Sequence, residues 1–439
     1  MREGKATVAS RARIPDDETL RRITTRAVAE IVPHQEFEDA LRSGRTLRLK
    51  MGFDPTKPVI TLGWAVGLRK LRQLQDLGHT VVVIIGDWTA RIGDPSGASQ
   101  TRPMLTAEEV QANSEAILRQ FYKVLDESRT EIRRQSEWFD GFSLTDVVRL
   151  AARFTVAQVL QRDDFAQRYA GHKPIGLHEL LYPLLQAYDS VAVEADVEFG
   201  GTDQKFNNLM GRELQRMLGQ RAGPAGDGQA VFLVPLLVGL DGQQKMSQSL
   251  GNYIAIDDPP HEMYGKLMSI PDALMIDYFE LLTDVPDEEL AYIRRSLEER
   301  TVNPMEHKMR LAREIVTQFH SREAAREAEE GFVRTFRKRE TPEETVREVM
   351  IPPALMEAGE AMPDVLPNLL KTWGVVPSVS EGRRLLRQGA VEINGEKVGA
   401  KTLVKLRSGA TIRVGKHRFL RIVDLPAGRH GADKQPRSQ

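Results

Sequence analysis

The sequence predicts an α/β fold with a doubly wound, mostly parallel sheet, followed by a helical domain and a small basic α+β domain. Three observations lead to this fold class. Short apolar strands alternate with amphipathic helices over the first 240 residues, strand patterns end near residue 259, and basic residues are concentrated after residue 366. Alternation of strands with helices is typical of sheets whose parallel strands are connected through helices on both faces.

The strand pattern of the first region occurs at residues 46–51, 81–86, 131–135, 191–197 and 231–237. Helical periodicity separates these strands, for example at residues 68–77 and 107–124. The second of these helices is preceded by Thr106 and Glu109, which have the spacing of a capping box. In such sheets ligands bind beyond the carboxyl ends of the strands, at the point where the strand order reverses.

Charged, amphipathic helices replace the strands in the second region, at residues 287–299, 305–319 and 321–336. A proline-containing stretch at 351–367 is predicted to be a linker. A helix at 380–387 and a hairpin follow it, because Asn394 and Gly395 stand between alternating residues. These patterns predict domains at 1–255, 256–350 and 368–425, joined by the linker at 351–367 and followed by a disordered tail at 426–439.

The charges are distributed unevenly, although the formal net charge of the chain is only −1. Residues 366–425 contain twelve basic and four acidic residues, whereas residues 1–365 are net acidic. A basic module on an acidic chain indicates that a polyanion is bound at one end of the molecule. The alternative is a charged face that is only solvated.

The absence of cysteine excludes a disulfide framework, a thiolate zinc site and a cysteine nucleophile. No apolar stretch approaches the ~20 residues that a membrane helix needs. The charged N-terminus is not followed by the apolar segment of a signal peptide. We therefore expect a cytoplasmic protein that has neither a membrane nor DNA among its partners.

Two loops follow predicted strands in the first half of the chain. Residues 52–56 (Gly-Phe-Asp-Pro-Thr) leave one strand and lead into a helix, whose free backbone N–H groups suit a phosphate. A simple turn, in which Asp54 bonds its own backbone, is the alternative. Residues 86–97 form a Gly- and Asp-rich loop after the strongest strand, and this position favours a binding role for Asp94.

Three polar side chains share one face of a later helix, because Tyr182, Gln186 and Asp189 are spaced i, i+4 and i+7. A phenol, an amide and a carboxylate on an otherwise apolar helix predict a binding site. A satisfied hydrogen-bond network within the core is the alternative.

Two further polar segments complete the set. Residues 200–204 (Gly-Gly-Thr-Asp-Gln) follow a strand and precede a helix, so that Asp203 and Gln204 are expected to face the same crevice. Residues 241–252 form a polar loop with one cation, Lys245. By itself this loop would have no functional meaning.

Taken in this order, the five segments resemble the signatures of bacterial tyrosyl-tRNA synthetases, a branch of the class I aminoacyl-tRNA synthetases, over roughly residues 20–425. Residues 380–389 and 393–395 resemble the small RNA-binding domain that is shared with a ribosomal small-subunit protein. The resemblance implies a Rossmann-like catalytic domain, an anticodon-binding helical domain and a homodimer. It also implies tyrosine and ATP as substrates, Mg²⁺ accompanying ATP, and tRNA(Tyr) as the partner.

The resemblance implies a two-step reaction, in which tyrosine is activated as tyrosyl-adenylate and then transferred to the 3′ end of tRNA. On matching positions, tyrosine would be bound by Asp94, Tyr182, Gln186, Asp189 and Gln204. ATP would be bound by Asp54, Gly63, Asp203, Lys245 and Ser247. The catalytic residues on the phosphate side would be Thr56, Arg102 and Lys245, and the RNA-binding residues Arg383, Arg384 and Arg387. No protein ligands for a metal are implied.

The nucleotide-site signature departs from the family pattern at four positions. Thr61 and Trp64 stand where the family has two histidines, Ala98 replaces a residue that is usually basic, and Gln248 replaces a second loop lysine. All four changes lie on the ATP-phosphate side. A catalytically impaired paralogue that binds tyrosine or RNA is therefore the alternative function. Lys57 and Arg91 are the cations that would have to compensate.

Overall fold

The computed structural model describes residues 11–93, 105–336, 346–350, 365–399, 406–415 and 418–423. The chain forms two compact units, Met1–Glu329 and Glu330–Gln439. Within the described residues, no helix combines the length and the apolar character needed to cross a membrane.

A six-stranded sheet organises the first unit. Its strands are β1 (Glu30–Val32), β2 (Arg48–Phe53), β3 (Thr80–Ile85), β4 (Thr130–Arg134), β5 (Val197–Gly201) and β6 (Ala230–Val234), in the order β1-β6-β5-β2-β3-β4. Only β1 is antiparallel to its neighbour. The chain runs outward from β2 to β4 and returns on the other side of β2 as β5, so the strand order reverses between β2 and β5. The crevice beyond these two strands is where a ligand is expected.

The described helices that begin in the first unit pack around this sheet and continue beyond it, and the last of them extends past Glu329. They are α1 (Asp17–Thr25), α2 (His34–Arg42), α3 (Leu62–Gln75), α4 (Thr89–Ile92), α5 (Ala107–Phe121), α6 (Ser136–Phe139), α7 (Leu144–Ala151), α8 (Val156–Val159), α9 (Asp163–Ala170), α10 (Tyr182–Ala192), α11 (Lys205–Met217), α12 (Pro260–Ser269), α13 (Met275–Leu282), α14 (Asp287–Glu298), α15 (Pro304–Phe319) and α16 (Arg322–Phe336). Short 3₁₀ turns occur at Glu127–Arg129, Glu179–Leu181, Thr202–Gln204 and Asp272–Leu274.

Most predicted elements of this unit are confirmed. Four of the five predicted strands lie within three residues of β2, β3, β4 and β6, and the capping box of α5 is present. The strand predicted at 191–197 is wrong, because α10 continues to Ala192 and β5 begins only at Val197. The apolar run there belongs partly to a buried helix end, and periodicity does not separate a buried helix from a buried strand over so few residues. Glu194, with φ of 50°, lies in the turn between them.

Among the residues that the structure describes, the second unit contains a five-stranded sheet and two complete helices. The strands are β7 (Val346–Met350), β8 (Val391–Ile393), β9 (Glu396–Lys397), β10 (Thr411–Val414) and β11 (Arg418–Val423), in the order β7-β11-β10-β8-β9, and the helices are α17 (Val365–Thr372) and α18 (Val379–Arg387). The predicted hairpin is confirmed, since Asn394 and Gly395 have φ of 49° and 85° and connect β8 to β9. The predicted small α+β fold is therefore present.

The structure differs from the predicted domain limits around residue 350. Strand β7 lies within the range assigned to the helical domain, but it pairs in parallel with β11 of the second unit. Such a pairing between distant segments leaves no local pattern in the sequence. Residues 351–364 of the predicted linker and the predicted tail at 426–439 lie outside the described residues.

Candidate active site

A cavity of about 220 Å³ lies beyond the carboxyl ends of β2 and β5, where the strand order reverses. Ten of the predicted site residues line it: Asp54, Thr56, Gly63, Tyr182, Gln186, Asp189, Asp203, Gln204, Lys245 and Ser247. Asp94, Ala98 and Arg102 lie outside the described residues. The predicted segments, which are far apart in the sequence, therefore converge on one cavity.

Asp54 joins the loop after β2 to helix α10. The Tyr182 hydroxyl donates a hydrogen bond to Asp54 Oδ2 at 2.8 Å, and the Thr89 hydroxyl donates to Asp54 Oδ1 at 2.6 Å. Gly86 makes this approach possible, because a Cβ atom there would lie 2.2 Å from Asp54 Oδ1. Asp54 therefore accepts hydrogen bonds from two hydroxyl groups of other elements. A simple turn, in which Asp54 bonds its own backbone, does not account for these contacts.

Asp189 is a buried carboxylate that lines the cavity. Its Oδ2 accepts a hydrogen bond from Gln135 Nε2 at 2.8 Å, and its Oδ1 accepts one from Trp138 Nε1 at 3.2 Å. Burial raises the pKa of the Asp189 carboxyl to about 7, against the opposing effects of the Lys50 charge and of these two donors. This side chain can therefore be neutral or ionised near physiological pH.

Two amide side chains are held next to each other on the same wall. Asn207 Nδ2 donates to Gln186 Oε1 at 2.9 Å and to Gln204 Oε1 at 3.1 Å. Gln186 and Gln204 both line the cavity. The helix face that carries Tyr182, Gln186 and Asp189 consequently combines both sequence interpretations, because it forms a hydrogen-bonded network and also lines a cavity.

The loop around Lys245 also lines the cavity. Lys245 Nζ forms an ion pair with Asp203 Oδ2 at 2.5 Å. Lys57 Nζ donates to the Gln248 backbone oxygen at 2.8 Å, and the Gln248 side-chain amide donates to the Val59 backbone oxygen. The loop is thereby joined to the segment that follows β2.

Trp64, one of the departures from the family signature, places an aromatic ring in the cavity lining. Thr61 caps α3 and accepts a hydrogen bond from the Trp64 N–H at 3.5 Å, and the Trp64 ring lies 4.5 Å from the Phe53 ring. Among the described lining residues, Lys245 is the only lysine, arginine or histidine. Arg91 is 5.7 Å from the Trp88 ring and is not among these lining residues.

Gln135, Trp138 and Thr89 are site residues that the sequence analysis missed. Gln135 Oε1 accepts hydrogen bonds from the Trp88 and Thr89 N–H groups at 3.2 and 2.9 Å, which fixes the amide that donates to Asp189. The signal that could have found Gln135 is its position at the carboxyl end of β4, the edge at which ligands bind in such sheets.

The three predicted RNA-binding arginines lie on α18 in the second unit. Arg383, Arg384 and Arg387 are all exposed, and Arg384 pairs with Glu381 at 2.6 Å. The opposite face of the helix is buried through Leu386. An exposed row of guanidinium groups on one helix is suited to phosphate groups of a polyanion.

No cluster of three His, Asp or Glu side chains that could hold a metal ion occurs in the part of the chain that the structure describes.

The doubly wound sheet with a cavity at its reversal point is the architecture of nucleotide-binding α/β proteins. The family model for class I tRNA synthetases of the tryptophan and tyrosine group matches residues 42–337, and the model of the S4 domain matches residues 366–412. The chain is 54% identical over 401 residues to a tyrosine–tRNA ligase of Dehalococcoides mccartyi, covering 91% of this chain and 98% of the relative. The chain belongs to the tyrosine–tRNA ligase family.

Further comparisons agree with this assignment. A tyrosine–tRNA ligase of Moorella thermoacetica is 50% identical over 406 residues, covering 91% of this chain and 95% of that protein. The crystal structure of tyrosyl-tRNA synthetase complexed with L-tyrosine from Archaeoglobus fulgidus is similar with a TM-score of 0.57 and 25% identity, covering 71% and 99% of the two chains. The predicted family and fold class are thus confirmed.

Proposed function

We propose that this chain activates tyrosine with ATP and transfers the tyrosyl group to the 3′ end of tRNA(Tyr). A carboxylate oxygen of tyrosine attacks the α-phosphorus of ATP, and the bond from this phosphorus to pyrophosphate breaks. A terminal ribose hydroxyl of tRNA then attacks the carbonyl carbon of the adenylate, and AMP leaves. Both steps depend on positioning and charge stabilisation rather than on a covalent enzyme intermediate. We propose the cytoplasm as the compartment in which this function takes place.

The observation that carries the proposal is the buried carboxylate of Asp189 in the cavity. In its ionised form it accepts a hydrogen bond from the phenol of tyrosine, whereas phenylalanine would leave the buried group without this partner. Tyr182, Gln186 and Gln204, together with Asp94, are proposed to bind the substrate's ammonium group and main chain. Two relatives that carry the name tyrosine–tRNA ligase support this choice of amino acid.

The nucleotide is proposed to lie between the loop after β2 and the Lys245 loop. Asp203 and Asp54 would contact the adenylate and its ribose, next to Gly63 and Ser247. Lys245, Thr56 and Arg102 would stabilise the pyrophosphate with Mg²⁺ bound to its oxygens. Lys57 is a further cation at this end, because its ammonium group contacts the backbone of Gln248, the residue that replaces the family's second lysine.

The proposal is tested by incubating the purified full-length chain with ATP, labelled tyrosine and a tRNA(Tyr) transcript. We expect acid-precipitable label to accumulate with tyrosine and not with phenylalanine. The same reaction with a tRNA(Phe) transcript is the control. Absence of charging with any tRNA(Tyr) of the host organism would contradict the proposal.

The arginines of α18 give a prediction for RNA binding. Replacing Arg383, Arg384 and Arg387 together by glutamine is expected to weaken tRNA binding and to reduce the slope of log affinity against log salt by about 2 to 3. Tyrosine affinity should not change. The charge-retaining variant with three lysines should keep most of the affinity, and an unaltered salt slope in the glutamine variant would exclude α18 from the RNA interface. Filter binding at several salt concentrations measures the effect.

The homodimer is proposed on the basis of apolar side chains exposed between residues 144 and 177. Leu144, Val148, Val156, Tyr169 and Leu177 have between 59% and 83% of their surface exposed. Exposed apolar surface of this kind marks an interaction site, and a second copy of the chain is the occupant that we propose.

Replacing Leu144 and Val148 by aspartate is expected to convert the dimer into a monomer. The reason is that two charges on one turn of α7 would have to be buried in the interface. Tyr292, which is also 54% exposed but lies on α14, provides the control variant Tyr292→Asp. Sedimentation velocity distinguishes the states, and an unchanged sedimentation coefficient in the double variant would refute this interface.

A second candidate function is a tyrosine- or RNA-binding protein that does not activate tyrosine efficiently. It is favoured by one observation, namely that Trp64 packs against Phe53 where the family has a histidine. Restoring the signature with Thr61→His, Trp64→His and Gln248→Lys separates the two functions. A gain of tyrosine activation from an inactive starting chain would support the second function.

A further inference from the structure

A lysine and a glutamate are fully buried directly beneath helix α10. Lys50 of β2 and Glu198 of β5 are register partners on the two strands that flank the reversal point. Their side chains are 0% and 1% exposed, and Lys50 Nζ lies 2.9 Å from Glu198 Oε1. A buried ion pair is on average no more stabilising than well-packed apolar residues of the same volume. Stability alone therefore does not account for this pair at the centre of the sheet.

The pair connects the sheet to successive turns of α10. Lys50 Nζ donates hydrogen bonds to the Gln186 backbone oxygen at 3.0 Å and to Ser190 Oγ at 2.8 Å. Ser190 Oγ in turn donates to Glu198 Oε2 at 3.0 Å. Because Gln186 and Ser190 are one turn apart, these contacts fix both the position of α10 on the sheet and its rotation about its own axis.

Glu198 also orients one of the side chains that line the cavity. Gln186 Nε2 donates to Glu198 Oε1 at 3.1 Å, which leaves Gln186 Oε1 to accept from Asn207 Nδ2. Gln229 Nε2 donates to Glu198 Oε2 as well. The carboxylate thus accepts hydrogen bonds from four different side chains, and only one of them, Gln186, belongs to the cavity.

We propose that Lys50 and Glu198 are positioning residues for tyrosine recognition, which hold Gln186 and Asp189 in the orientation that the substrate requires. This inference rests on the proposed function and adds to it two residues that do not themselves line the cavity. The role of the pair is more than structural, because its charges also act on the Asp189 carboxyl. The Lys50 charge lowers the pKa of the Asp189 carboxyl and the Glu198 charge raises it.

The test uses tyrosine affinity as a function of pH. The charged groups that act on Asp189 are Lys50 from β2 and Glu198 from β5, and its other partners, Gln135 and Trp138, are uncharged donors. Glu198→Gln is expected to move the midpoint of the pH dependence downward, because a like charge near Asp189 is removed. Lys50→Met in addition should return the midpoint to the unmodified value or above it.

The neutral double variant Lys50→Met/Glu198→Gln avoids leaving one charge buried and unpaired. In this variant we expect tyrosine affinity to fall about tenfold, which corresponds to about 1.4 kcal/mol. The rate of adenylate formation at saturating tyrosine should change little. Isothermal titration calorimetry over pH 5.5 to 8.5 measures the affinity, and circular dichroism verifies the fold.

A matched control is available in the same unit. Lys70 on α3 is a buried lysine that bonds to the Ile23 backbone oxygen and is absent from the cavity lining, so Lys70→Met should leave the pH midpoint for tyrosine unchanged. Folded variants with unchanged affinity and midpoint would overturn this inference alone. Failure of the unmodified chain to bind tyrosine would overturn the proposed function together with it.

Discussion

Replacing Lys245 by methionine is expected to lower the rate of tyrosyl-adenylate formation by about 10²- to 10³-fold, the usual cost of losing one preorganised group that stabilises transition-state charge. Lys245 is the only basic side chain among the described lining residues, and negative charge develops on the departing pyrophosphate. The KM for tyrosine should change little, since the buried carboxylate of Asp189 is a separate part of the cavity. Single-turnover quenched-flow kinetics with labelled ATP measures the rate.

Lys266 provides the control for this substitution. It forms an ion pair with Asp258 at 2.6 Å, much as Lys245 does with Asp203, but it is not part of the cavity lining. Lys266→Met should therefore leave adenylate formation unaltered. Equal rates in Lys245→Met and the unmodified chain would show that the pyrophosphate is stabilised elsewhere.

Lys57 is expected to contribute less, because it reaches the backbone of Gln248 from outside the cavity. The informative variant is the exchange Lys57→Met/Gln248→Lys, which moves the cation onto the loop. If Lys57 supplies the charge that the loop lacks, this double variant should recover the rate that Lys57→Met loses.

Replacing Asp189 by asparagine is expected to weaken tyrosine binding by about 10- to 150-fold, or about 1.4 to 3 kcal/mol. Asparagine removes the negative charge, and its NH₂ group must face either the Gln135 or the Trp138 donor, both of which now donate to Asp189. Discrimination against phenylalanine should fall with it, because the phenol loses its charged acceptor. Equilibrium dialysis with both amino acids measures the two affinities.

Asp140 offers a matched control for Asp189. Its carboxylate also accepts a hydrogen bond from an indole, Trp88 Nε1 at 2.8 Å, but it is exposed and does not line the cavity. Asp140→Asn should leave the affinity for tyrosine unchanged. Unaltered affinity in Asp189→Asn would instead mean that the phenol is recognised by another group.

The raised pKa of Asp189 also predicts how tyrosine binding depends on pH. Since this pKa is about 7, tyrosine affinity should decline as the pH falls below 7 and the carboxylate becomes protonated. Folding has the opposite dependence, because the folded chain retains a proton that the unfolded chain loses above pH ~4, so that Asp189 reduces stability as the pH rises from about 4 to 7. In the Asp189→Asn variant, tyrosine affinity should not decline in this way as the pH falls below 7.

The sequence allowed most of the catalytic unit's fold to be predicted because its signals are local. The apolar run of β3 and the Thr106–Glu109 capping box of α5 depend only on neighbouring residues. Strands β1 and β7 were missed because one is three residues long and the other pairs with a distant strand. The strand predicted at 191–197 failed because a buried helix end and a buried strand share the same apolar composition.

The sequence predicts only those residues of the candidate site that belong to recognisable motifs. Described residues of the five segments line the same cavity, since loops after parallel strands meet at one edge of the sheet. Gln135 and Trp138 contact Asp189 from more than 50 positions away in the chain, and no motif spacing connects them. No motif in the sequence indicates the Lys50–Glu198 pair either, because only the strand register brings the two residues together.

Tyrosine-dependent exchange of labelled pyrophosphate into ATP by the unmodified chain is the sharpest test of tyrosine activation. The assay requires tyrosine binding, ATP binding and reversible adenylate formation in one cavity, and it does not depend on the choice of tRNA. We expect exchange only when tyrosine is present. The exchange rate should fall by about 10²- to 10³-fold in Lys245→Met, and it should be reduced in Asp189→Asn. Tyrosine binding without exchange, together with exchange gained by Thr61→His/Trp64→His/Gln248→Lys, would contradict the claim and identify a binding protein on a synthetase fold.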